Sequence, residues 1–232
     1  MNKKILSLGI ASFMFIGTGI SFAQFGNFGS ALGSVASKVT GGGGAVVSVS
    51  DLGSSRDHAI TSYLESTKEL DLSLEKAGEA FGVKKEVLEK LAVVQSLKEG
   101  NINDGDLDKA RQSSQEAQAI IAQKMKETSA PSAESKALLA ESMIHLAIGI
   151  EKDIALIGTI QNLSSQAQGA MKSASPMEII KVKDITFTAL TLGKAVPSDL
   201  GLEKNILGSY VAYAKANNIS TPSNASNLLK GE

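Results

Sequence analysis

Residues 137–163 restrict the folds open to this chain more than any other stretch. They are apolar nearly all round a helix. Leu139, Met143, Leu146, Ile150, Ile157 and Ile160 share one face, and Ile144, Ala147, Ile148, Ile154 and Ala155 cover others. Such a helix is either the centre of a bundle or a membrane span. Glu151, Lys152 and Asp153 lie in its middle, and ionised groups there cost about 2.5–3.5 kcal/mol each on insertion scales. A central bundle helix is the better reading, and it needs other helices around it.

The rest of the chain offers them. Over residues 57–81, Ile60, Thr67, Leu74 and Phe81 recur every seventh position, with Tyr63, Leu70 and Ala77 between them. This is a heptad seam that calls for a helical partner, within the chain or in a homo-oligomer. Gly82 interrupts it, and Val83, Val87, Leu91 and Val94 mark a second helix. A third runs from about Leu107 through Ala110, Ala117, Ile121 and Met125. Asp104 or Asp106 is its expected N-cap. Ser175, Pro176 and Glu178 form a capping box with proline at the first helical position, which opens a helix through Val182 and Phe187. Pro197 is expected to end that helix, and a last one carries Leu202, Ile206, Tyr210 and Tyr213.

The expected fold is therefore all-α: an up-and-down bundle of five or six helices over residues 56–218, with a disordered tail at 219–232. The competing arrangement is α+β. It pairs the strand-like alternation at 46–50 with the β-branched run within 182–188.

The N-terminus reads as an export signal over residues 1–23. Lys3 and Lys4 precede an apolar run, and Ser21 and Ala23 are the small residues a signal peptidase reads, placing cleavage between Ala23 and Gln24. The protein is then periplasmic or secreted. With no cysteine in the chain, it cannot be a lipoprotein, and disulfides, thiolate chemistry and Cys-based metal sites are excluded. Residues 24–55 form a Gly/Ser-rich flexible segment ending its first half in four glycines, 41–44. Within it, Phe25, Phe28, Leu32, Val35 and Val39 make an apolar helical stripe. That stripe suits a partner, a membrane surface or the protein's own bundle.

Signs of chemistry are few. The formal net charge is −1 and the arginines are Arg56 and Arg111 alone, which argues against a nucleic-acid partner. Glu141 and His145 are four apart on one helix and can share a proton or a metal. A metal-holding bundle needs several such motifs, so the pair reads as a histidine satisfied by its helix neighbour. Asp57 and His58 are adjacent and point apart. The acids around Gly105 fail the register of a calcium loop, and no serine sits in a nucleophile elbow. No cofactor, metal or catalysis is expected. The functional expectation is an exported, non-catalytic protein acting through protein–protein contact. The alternative is a carrier of a lipid or other apolar ligand in the bundle.

Overall fold

The computed structural model describes residues 48–92 and 102–230. Six helices and no strand occur among them: α1 (Val49–Ala80), α2 (Lys84–Leu91), α3 (Asp104–Glu127), α4 (Ala133–Met171), α5 (Pro176–Ala216) and α6 (Ser223–Lys230). The residues read as an export signal with its cleavage point, 1–24, and the stripe from Phe25 to Val39 lie outside the described residues.

Successive helices alternate in direction, with the short α2 supplying the return between α1 and α3. Ser66 meets Gly149 and Ser73 meets Ser142, so α1 and α4 run antiparallel. Asp104, Arg111 and Gln118 of α3 meet Thr191, Asp199 and Tyr210 of α5 in that order, and Arg56 and Tyr63 of α1 meet Asp184 and Asp199, so α1, α3 and α5 run parallel to one another. The short α2 turns back along α3, tied by Lys90 Nζ to Glu116 Oε2 at 2.8 Å. The α1–α4 and α4–α5 pairs make the most extensive contacts, so α4 is central, as its composition requires. Leu139, Met143, Leu146 and Ile150 are almost wholly shielded from solvent.

Several helix ends match their sequence signals. At the start of α5, the Ser175 N–H donates to Glu178 Oε2 at 2.9 Å, and its hydroxyl donates to the same oxygen. At the end of α1, the Val83 N–H donates to the Gly78 carbonyl at 2.7 Å and the Gly82 N–H to that of Glu79. This is a Schellman closure with glycine in the left-handed position. Gly82 has φ 71°, so Gly82→Ala is expected to lower stability by roughly 1–2 kcal/mol. Urea unfolding of the two proteins checks this, and an unchanged midpoint would contradict it.

The competing arrangement falls and four expectations are corrected. Residues 49 and 50 open α1 and residues 182–188 lie inside α5, so the α+β pairing does not form. Helix α1 also begins inside the segment assigned as flexible up to residue 55. The cap of α3 is Asn103, whose Oδ1 accepts the Asp106 N–H at 3.0 Å, rather than either aspartate. Pro197 does not end its helix, because α5 runs through it to Ala216. Proline leaves the Gly193 carbonyl without its helical donor, and the next two carbonyls along are bound by side chains. Ser198 Oγ donates to the Lys194 carbonyl at 3.1 Å and Arg111 Nη2 to that of Ala195 at 3.4 Å. Buried Val196, Ile206 and Leu207 hold both sides of the proline on the core. Finally, the tail packs rather than straying. Asn218, at φ 53°, closes a second Schellman turn in which the Ile219 N–H donates to the Ala214 carbonyl at 2.8 Å. That reversal returns Ile219 and Ala225 to the core, with α6 against α4 and α5.

Candidate functional site: a polar layer across the bundle

Each long helix buries a residue at every seventh position. On α1 these are Leu52, Ala59, Ser66, Ser73 and Ala80, and on α3 Leu107, Ser114 and Ile121. On α4 they are Leu139, Leu146, Asp153, Ile160 and Ala167, and on α5 Val182, Ala189, Val196, Glu203 and Tyr210. One layer of this heptad core is polar on all four helices: Ser66, Ser114, Asp153 and Glu203. Together with Tyr63, Arg111 and Asp199 they line a cavity of about 20 Å³. A single water needs roughly 10–15 Å³, so the space suits one small polar guest.

Asp199 is the satisfied acid of the layer. Arg111 Nε donates to its Oδ1 at 2.6 Å, and the Tyr63 hydroxyl donates to Oδ2 at 2.9 Å. Burial pushes its carboxyl up, against the pull of Arg111. Burial, followed by the neighbouring Asp199 charge, likewise pushes the Tyr63 hydroxyl up, so it stays a neutral donor. Asp153 and Glu203 differ. Each is only 1% exposed, and neither Asp153 Oδ1 nor Glu203 Oε2 has a hydrogen-bond partner within the protein. Burial, partly opposed by Ser66, pushes the Asp153 carboxyl up to about 7. Burial, then the charges of Asp153 and Asp199, pushes Glu203 well above the ordinary carboxylate range.

Backbone proximity shapes this layer. A Cβ at position 149 would lie 3.0 Å from Glu203 Oε1. Gly149 therefore lets the Glu203 carboxyl lie against α4. The same glycine lets Ser66 Oγ reach the Gly149 carbonyl at 3.0 Å.

Glu141 and His145 are not partners of each other. Glu141 pairs with Lys76 on α1 at 3.0 Å. His145 Nδ1 lies 2.8 Å from Glu69 Oε2, also on α1, and Lys152 Nζ is 3.3 Å from the other Glu69 oxygen. The helix-neighbour expectation for His145 is thus corrected, because α1 packs close enough to supply a nearer acid. Burial raises the Glu69 carboxyl, but the His145 and Lys152 contacts more than offset it and hold it below its ordinary value. Asp57 accepts from Arg56, which also binds Asp184 of α5. Among the described residues, no group of three or more histidines and acids is placed to hold a metal ion.

Sequence reading missed Asp153 and Glu203 as a pair. The signal is present: each falls on the seventh-residue series of its own helix, between Leu146 and Ile160 and between Val196 and Tyr210. An acid at such a position is a buried acid if the series is the core.

Comparison with family models, with curated proteins and with solved structures finds no match to this chain. No described helix is long and apolar enough to cross a membrane.

Proposed function

We propose that this is an exported, non-catalytic helical protein of the bacterial envelope that works by binding another protein, with α5 as the contact face. One observation carries this reading. The first half of α5 leaves Met177 and Ile180 84% and 72% exposed, and Phe187 and Leu190 54% and 53% exposed. Ile180 and Phe187 are seven apart, so one partner helix can cover both. The charges beside the stripe, Glu178, Lys181, Lys183 and Asp184, are of mixed sign. That suits a protein surface better than an anionic bilayer, which selects a cationic polar face. Export rests on the leader-like residues 1–23.

A photo-crosslinking side chain at position 187, tested in intact cells, reads the partner directly. Discrete protein adducts are expected from 187, absent from a probe at Asn205, and lost in Ile180→Glu. Equal labelling from both positions, or adducts with lipid alone, would overturn the reading.

A further inference from the structure

The layer holds more acid than its surroundings can satisfy. The donors facing the cavity come from α1 and α3, and apart from the pull of the Ser66 hydroxyl on Asp153 each is directed elsewhere. The Tyr63 hydroxyl donates to Asp199, that of Ser66 to the Gly149 carbonyl, and that of Thr67 to the Tyr63 carbonyl. The Ser114 hydroxyl donates to the Ala110 carbonyl. Arg111 directs three of its five N–H groups to Asp199, Asp108 and the Ala195 carbonyl. An ionised carboxylate is acceptor-only, so Asp153 and Glu203 cannot satisfy each other when both are charged. Three acids and one arginine would leave the layer at −2 around a space of about one water. A protonated carboxyl changes this, because it brings its own O–H donor to the unpartnered oxygens.

We propose that Asp153 and Glu203 form a proton-binding site that closes α5 onto α4 when occupied and loosens the turns after Pro197 when it empties. The location favours such a hinge. Glu203 lies against the Gly149 backbone, and Pro197 has already removed one rung of the α5 ladder two residues before Asp199.

The sign follows from the raised carboxyls. The folded protein binds protons that the unfolded chain has lost above about pH 4, so stability falls as pH rises toward and through neutrality. For one proton, the unfolding constant rises about tenfold per pH unit. Urea unfolding of the full chain between about pH 5 and pH 8 reads this slope, with hydrogen exchange of residues 199–207 reporting the local opening. Glu203→Gln and Asp153→Asn are each expected to flatten the slope and to raise the urea midpoint at pH 8. An imidazole also titrates in this range, so His145→Gln is the control in which the slope must survive. Should the acid variants fail to fold, the wild-type infrared spectrum still decides. A carbonyl stretch from protonated carboxyl is expected at pH 6 and should weaken by pH 8. The proposal is overturned by a flat wild-type slope, by slopes unchanged in both acid variants, or by no such carbonyl band. It is also overturned if sodium or calcium at pH 8 removes the slope, since the site would then hold a cation.

Discussion

Ile150→Asp should destabilise the protein by about 4 kcal/mol or more, enough to leave it largely unfolded. Ile150 is completely shielded on the central helix α4. Its replacement removes the packing of a full side chain and puts a carboxylate where no solvent reaches it. Ile154→Asp is the matched control. It makes the same chemical change one turn along the same helix, where the side chain is 46% exposed, and is expected to cost within about 0.5 kcal/mol. Urea unfolding of the two variants compares them directly. Similar losses would mean that α4 is not seated as described.

Arg111→Met should be the next most damaging change, at about 3–5 kcal/mol. Its guanidinium joins two helices, binding Asp199 and the Ala195 carbonyl on α5 and Asp108 on its own α3. The side chains of Arg111 and Asp199 are 18% and 13% exposed, so removing the cation leaves a nearly buried carboxylate held only by the Tyr63 hydroxyl. The loss comes mainly from that stranded charge. The double variant Arg111→Met with Asp199→Leu is therefore expected to recover most of it. A cycle over the four proteins tests the pair, and strictly additive losses would show that the two do not act together.

The features legible in the sequence were those written in local chemistry. The Ser175–Glu178 box, the Gly82 stop and the apolar excess of α4 each act within one or two turns, and each appears where its residues place it. The α1 heptads were half legible. Tyr63, Leu70, Ala77 and Leu74 are buried, while Ile60, Thr67 and Phe81 are half-buried, because the true core also takes the small residues Ala59, Ser66 and Ser73. Where reading failed, tertiary structure decided. Pro197 stays helical because buried Val196, Ile206 and Leu207 hold both sides of it on the core. Residues 223–230 fold because Asn218 turns them onto the bundle. His145 takes an acid from another helix, which no spacing within α4 can reveal. Asp153 and Glu203 were hidden for a different reason: hydropathy patterns score an acid as surface, and these two break the pattern they belong to.

The small residues between α1 and α4 also decide which alignment of these two helices is allowed. In the observed one, Ser66 donates to the Gly149 carbonyl and Ser142 to that of Ser73, with the Ser73 and Ser142 hydroxyls 3.0 Å apart. Sliding α1 one heptad one way would set Ser66 against Leu156 and leave its hydroxyl facing hydrocarbon. Sliding it the other way would set Ser73 against Ser135 beyond the core and draw Ser66 and Tyr63 out of the polar layer. Leu, Ile and Ala repeats alone would tolerate either slip, since one heptad looks much like the next. A few polar groups at core positions remove that freedom, as a single buried asparagine does in a coiled coil. An α1 from a second molecule would have to enter in this same alignment or not at all.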